Sequence, residues 1–71
     1  MNGLTSAQRE VFEFLKMYAK KHGYPPTRAE IAKGFGWSSA NAAQQHLTLI
    51  AAKGYIRLSP DSKARGIAIL K

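Results

Sequence analysis

The chain has 71 residues, the length of one small domain, and 45% of them are hydrophobic, which is typical of a folded protein rather than a disordered one. It contains no cysteine, so disulfides and thiolate zinc sites are excluded. Its 11 Lys and Arg against 4 Asp and Glu give a formal net charge of +7. No acid lies between Glu30 and Asp61, so this stretch can approach phosphates without like-charge repulsion.

No segment has the pattern of a signal peptide or of a membrane span, because charged residues interrupt every apolar run. We therefore expect a cytoplasmic protein without a membrane partner, associated with the nucleoid when it binds DNA.

The first predicted element is a helix that begins after Thr5 and ends at Gly23, where two prolines forbid its continuation. Thr5 and Gln8 have the spacing of a capping box. Apolar residues at helical spacing predict the inner face: Ala7, Val11, Phe14, Leu15 and Tyr18. Polar residues predict the outer face: Gln8, Arg9, Glu13, Lys16 and Lys20.

A second capping box, formed by Thr27 and Glu30, predicts a short helix that ends at Gly36. Ile31 and Phe35 lie on the same face of this helix. A brief polar turn follows it. Either Ser39 or Asn41 caps a third helix, and the sequence leaves both open.

The third predicted helix closes at Gly54 and has one apolar and one uncharged polar side. The inner stripe consists of Ala43, Leu47, Ile50 and Ala51. The opposite face carries Asn41, Gln45, Thr48 and Ala52, with Gln44 beside them.

After Gly54 the apolar pattern alternates, with Ile56 and Leu58 on one side, which predicts a β-strand. A turn over residues 59–62, with Pro60 in its second position, and a second apolar run over residues 66–70 complete a hairpin. Its tip, residues 61–65, is polar and basic.

The element order predicts one domain, residues 1–71, that is mainly α with a small β-hairpin: a three-helix winged helix-turn-helix. The helix-turn-helix spans about residues 28–48 and the wing about residues 55–70. In such folds the second helix of the motif enters the major groove, which is about 12 Å wide and admits one helix.

The third helix carries side chains that both donate and accept hydrogen bonds, as the reading of base edges requires. The predicted base-contacting residues are Ser39, Asn41, Ala42, Gln44, Gln45 and Thr48. Phosphates need only positive charge and amide donors. The predicted phosphate-contacting residues are Arg28, Lys33, Lys53, Lys63 and Arg65.

The sequence also allows three other interpretations. In the first, the polar face of the third helix is an ordinary solvated surface. In the second, the chain is a winged helix that binds another protein, although the aromatic, Met and Arg anchors typical of protein-binding surfaces are absent from that face. An enzyme is disfavoured because no nucleophile and base are arranged together. His22 and His46 lack a third ligand at metal spacing, so we expect no metal, cofactor or small-molecule substrate.

Several segments resemble the N-terminal domain of the LexA family of bacterial DNA-damage (SOS) repressors, and the resemblance covers essentially the whole chain. The matching segments are residues 4–5, 8–12, 23–32, 39–43, 46–47, 53–54 and 65–67. The most specific block is PPTRAEIA, residues 25–32.

The resemblance implies a transcriptional repressor that binds a palindromic double-stranded DNA operator together with a second copy of itself. Two departures from the family pattern bear on DNA binding. The family commonly carries Glu at the positions of Gln44 and Gln45, and an amide suits adenine better than a carboxylate does. The turn 37–40 also lacks a basic residue that the family often has there, and so lacks one phosphate contact.

Members of the family also have a C-terminal domain that cleaves itself with a Ser-Lys dyad and drives dimerisation. That domain is absent from these 71 residues, so we expect no catalysis from this chain. We expect an excised domain; a free-standing small repressor of non-SOS genes is the alternative.

Overall fold

The computed structural model describes residues 3–59 and 66–71. The elements follow in the order α1 (Ser6–His22), α2 (Arg28–Phe35), α3 (Ala40–Ala52), β1 (Ile56–Leu58) and β2 (Ile67–Ile69). This confirms the predicted fold class, mainly α with a small β-hairpin, in the arrangement of a winged helix-turn-helix. None of the helices among the described residues is both long enough and apolar enough to cross a membrane.

Both predicted capping boxes are formed, and they fix where α1 and α2 begin. The Thr5 hydroxyl accepts from the Gln8 backbone N–H at 3.2 Å, and the Gln8 side chain accepts from the Thr5 N–H at 3.1 Å. Thr27 and Glu30 repeat the exchange at 3.0 and 2.8 Å. These contacts satisfy backbone donors that a helix cannot pair internally.

The inner face of α1 differs from the predicted one at three positions. Gln8, predicted on the polar face, is buried, with 7% of its surface exposed, whereas Ala7 is exposed. Phe12, which is not part of the predicted inner face, is also buried. The reason is the helical period: residues 8, 11, 12 and 15 form one continuous stripe, and the capping role of Gln8 lets a polar side chain stay within it.

A single core joins all three helices and the hairpin. Its buried members are Val11, Phe12, Leu15, Ile31, Ala43, Leu47, Ile50, Ile56 and Ile67. The predicted inner residues of α3 are therefore inside, with Ala51 half-buried at the margin.

The turn between α2 and α3 is held by one glycine and by stacked rings. Gly36 has a φ of 74°, a left-handed conformation that favours glycine, and the Trp37 N–H donates to the Ala32 carbonyl at 2.8 Å. Trp37 then stacks between Phe35 and His46, with ring centroids 4.9 and 4.7 Å apart. The turn is thus packed on both helices, which fixes α3 relative to α2.

The two strands form an antiparallel pair in which Ile56 faces Ile69 and Leu58 faces Ile67. The alternation predicted for this segment is confirmed. Along β1, Ile56 is buried and Leu58 is half-buried, whereas Arg57 between them is exposed, and Ile67 on β2 is buried as well. The predicted turn at Pro60 and the basic tip, residues 61–65, lie outside the described residues.

Candidate nucleic-acid interface

The outer side of α3 is open to solvent and uncharged. Ala43, Leu47 and Ile50 are 0% exposed on its inner side. The predicted base-contacting residues lie together on the other side or its flanks. Ser39, Asn41, Gln45 and Thr48 are exposed, and Ala42 and Gln44 are half-buried. Because the residues of α3 that fill the core are separate from these, the outer face is available to a partner.

Ser39, not Asn41, caps α3. The Ser39 hydroxyl oxygen accepts from the Asn41 backbone N–H at 3.0 Å. The open choice between the two caps is thereby decided. The Asn41 side chain stands exposed on the first turn of α3, and the Ser39 O–H can still donate to another group.

Gln44 is held by two neighbours. Arg28 Nε, on the first residue of α2, donates to Gln44 Oε1. Gln44 Nε2 donates to Thr48 Oγ1 at 2.9 Å, and the Thr48 hydroxyl donates to the Gln44 backbone carbonyl at 2.9 Å. The amide of Gln44 is therefore fixed on the flank of α3, whereas Gln45 beside it is exposed.

Two of the predicted phosphate-contacting lysines lie near the two ends of α3. Lys33 is exposed in the last turn of α2 and lines an open depression with Ser38 and Ser39, next to the start of α3. Lys53 is exposed at the C-cap of α3. Positive charge thus flanks the uncharged face at both ends. Lys63 and Arg65, predicted to extend it through the wing, lie outside the described residues.

Lys53 also has a structural contact that the sequence did not indicate. Its Nζ donates to the Gly3 carbonyl and to Gln8 Oε1, the latter at 2.8 Å. An ammonium group has three donors, so these two contacts leave one for a phosphate. Lys53 therefore joins the end of α3 to the start of α1 as well as adding charge.

Leu49 is a further residue of this surface, one that is not among the predicted base-contacting residues. Its side chain is 50% exposed and lines a shallow depression with Gln44, Gln45 and Thr48. Its spacing of four residues from Gln45 is the signal that places it on the same flank. An exposed leucine there supplies apolar area of the kind that contacts a thymine methyl group.

The two histidines do not form part of a metal cluster among the described residues, where no group of three His, Cys, Asp or Glu is close enough to hold an ion. His46 Nδ1 lies 2.9 Å from the Ala42 carbonyl, and its ring stacks on Trp37. His46 thus has a packing role beside the candidate interface.

Comparison with known proteins identifies relatives over nearly the full chain. The family model described as LexA DNA binding domain matches residues 1–66. The LexA repressor of Cellvibrio japonicus is 48% identical over 69 residues, which cover 97% of this chain and 34% of that protein. The LexA repressor of Pseudomonas aeruginosa is 48% identical over 97% of this chain, and that of Glaesserella parasuis is 49% identical over 94%. The chain spans about a third of the length of these relatives.

Proposed function

This chain belongs to the family of LexA DNA-binding domains, and from that premise we propose that it is the operator-reading part of a transcriptional repressor of DNA-damage (SOS) genes. In this proposal α3 lies in the major groove of a palindromic site, and a second copy of the domain occupies the other half-site.

The observation that carries the proposal is the composition and exposure of the outer side of α3. Asn41 and Gln45 present exposed amides, and no charged side chain interrupts residues 39–52. Side chains that both donate and accept can pair with the edge of adenine, which presents one donor and one acceptor in the major groove. Ala42 and the Thr48 methyl supply apolar contacts for thymine.

Positive charge around that face supports the same orientation on the duplex. Lys33 and Lys53 lie close to opposite ends of α3, and each exposed ammonium can meet a phosphate beside the groove. In the proposal Lys63 and Arg65 add contacts from the wing. These contacts position the domain, and the amides carry the sequence information.

The decisive experiment compares Asn41→Ala with Lys33→Ala on a duplex selected from a random pool and on an unrelated duplex. Asn41→Ala should weaken binding to the selected duplex by about 1–3 kcal/mol and leave the unrelated duplex nearly unaffected, because one base contact is lost. Lys33→Ala should weaken binding to both duplexes equally, because phosphates are alike in every sequence. Equal losses on both duplexes for Asn41→Ala would contradict base readout.

Lys33 is the better phosphate control than Lys53. Lys53 donates to Gly3 and Gln8, so its substitution changes the packing of α1 on α3 together with the charge. Lys33→Ala should also lower the slope of log K against log salt concentration by about 0.9, the value for one phosphate neutralised on B-DNA.

A further inference from the structure

Arg28 is predicted as a phosphate contact, yet its guanidinium is engaged within the protein. It is half-buried at the first position of α2, and its Nε donates to Gln44 Oε1 across 16 residues of sequence. The contact joins the two helices of the motif at the flank of the proposed reading face.

We propose that Arg28 is a positioning residue for base readout, which sets the direction in which the Gln44 amide faces the bases. The inference rests on the proposed DNA-binding function of α3. It gives Arg28 of α2 a role in base specificity that is exerted by orienting Gln44 and not by direct contact with the bases.

The chemistry of the two neighbours selects one of the two amide orientations. A guanidinium only donates hydrogen bonds, so the side of Gln44 that faces Arg28 must be its oxygen. The Thr48 hydroxyl donates its hydrogen to the Gln44 backbone carbonyl, so towards the Gln44 side chain it can only accept. The NH₂ group must therefore face Thr48. Both contacts favour the same orientation, and a flipped amide would lose both.

The fixed amide retains what base recognition needs. Its oxygen accepts one hydrogen bond from Arg28 and has a second lone pair, and its nitrogen donates one hydrogen to Thr48 and has a second. An acceptor on the Arg28 side and a donor on the Thr48 side are thus presented in a set order. Adenine offers a donor and an acceptor in a set order as well, so the orientation of the amide discriminates between base pairs.

A phosphate role alone predicts a different loss. The guanidinium has four further N–H donors on its two terminal nitrogens, which suit a phosphate. Removal of a phosphate contact weakens binding to every sequence equally, whereas removal of the amide anchor lowers the preference at one base pair.

The test uses Arg28→Met, which keeps an apolar stem of similar length and removes the donors and the charge. Lys33→Met is the matched control, because it removes one charge from α2 at an exposed site. The base pair read by Gln44 is first located as the position at which Gln44→Ala loses its base preference. Binding of each variant is then measured on the selected operator, on duplexes that carry each of the other three base pairs at that position, and on a random duplex.

Arg28→Met should lower the preference at that base pair about fivefold or more and leave the preference at the Asn41 position unchanged. Lys33→Met should leave both preferences unchanged. A uniform loss of affinity for Arg28→Met, with its base preference intact, would overturn the inference.

Circular dichroism checks that Arg28→Met folds, and Arg28→Lys provides a second variant that keeps the charge. The lysine should retain affinity for the random duplex and lose part of the preference at the Gln44 position, because one ammonium cannot reproduce the planar geometry of Nε. Retention of the full preference by both variants would count against the inference.

Nuclear magnetic resonance of the free protein gives a readout that does not depend on DNA. The side-chain NH₂ of Gln44 should show restricted motion in the wild type and in Lys33→Met, and averaged motion in Arg28→Met. A mobile Gln44 amide in the wild type would overturn the inference by itself. If instead the wild type bound all duplexes alike, the proposed function would fail, while the amide signal would still test the Arg28 contact.

Discussion

The chain uses the same amino acid for opposite purposes at Gln8 and Gln45. The Gln8 oxygen accepts from the Thr5 N–H at 3.1 Å and from Lys53 Nζ at 2.8 Å, and its side chain is buried. Gln45 is exposed on the outer side of α3. Substitution of the first should therefore affect folding, and substitution of the second should affect DNA recognition.

Gln8→Ala should lower the free energy of unfolding by about 1–2 kcal/mol, because it removes one half of the capping box and the acceptor for Lys53. Urea denaturation of the free protein measures this change. Gln45→Ala is the control and should remain within about 0.5 kcal/mol of the wild type, as exposed substitutions usually do. Equal destabilisation by the two variants would contradict this division of roles.

Gln44→Glu should change which base the domain prefers. A carboxylate accepts hydrogen bonds but cannot donate to adenine N7, and it suits the amino group of cytosine. The glutamate carboxylate can still accept from Arg28 Nε, but the hydrogen bond from the Gln44 NH₂ group to the Thr48 hydroxyl is lost. Selection from a random pool should shift one position of the site from adenine towards cytosine. An unchanged selected sequence would show that Gln44 does not read that base.

At the scale of the elements, the position of α3 relative to α1 and α2 depends on a run of packed rings. Phe14 of α1 contacts Phe35 of α2 at 5.3 Å between centroids, and Phe35 and His46 sandwich Trp37. Gly34 lies against this run, because a Cβ added there would stand 2.9 Å from two ring carbons of Phe14. Rings and glycine together set how closely α2 approaches α1.

Gly34→Ala should fail to stabilise α2 despite the better helix propensity of alanine. The propensity gain is about 1 kcal/mol, but the Phe14 ring, which packs on Phe35, must move to admit the added methyl group, and overpacking of this kind costs about 1–3 kcal/mol. In a Phe14→Ala background the clash is absent, so the same substitution should raise the free energy of unfolding by about 1 kcal/mol. Thermal denaturation of the wild type, Gly34→Ala, Phe14→Ala and the double variant tests this. Stabilisation by Gly34→Ala in the presence of Phe14 would contradict it.

The sequence predicts what depends on near neighbours. The capping boxes at Thr5 and Thr27 join residues three apart, so they fixed the starts of α1 and α2, and the alternation around Ile56 predicted the hairpin. The Arg28 contact with Gln44 spans 16 positions and depends on the angle between two helices. The same holds for Lys53 and Gln8, which are 45 positions apart. Residue types alone do not indicate such pairs.

At the scale of the whole molecule, residues 3–59 and 66–71 expose few large apolar side chains that could support self-association. Among the described residues, the large apolar side chains that are most exposed lie on different parts of the chain. They are Met17, Tyr24, Leu49 and Leu70. Because stable interfaces need a contiguous buried patch of about 800 Å² on each partner, the isolated chain should be monomeric in solution. Sedimentation equilibrium without DNA measures this, and a tight dimer would contradict it.

Cooperative binding of two copies should then depend on the spacing of the half-sites. The Cα atoms of the domain span 29 × 24 × 22 Å, so two copies touch only when their half-sites lie on the same side of the duplex and close together. Insertion of about 5 base pairs turns one half-site to the opposite side and should abolish cooperativity. Insertion of about 10 base pairs restores the side but moves the two copies about 34 Å further apart, so copies that were in contact no longer touch. Cooperativity should therefore stay absent, with each half-site bound as strongly as before. Recovery of cooperativity at the longer spacing would mean that the copies communicate through the DNA rather than by contact.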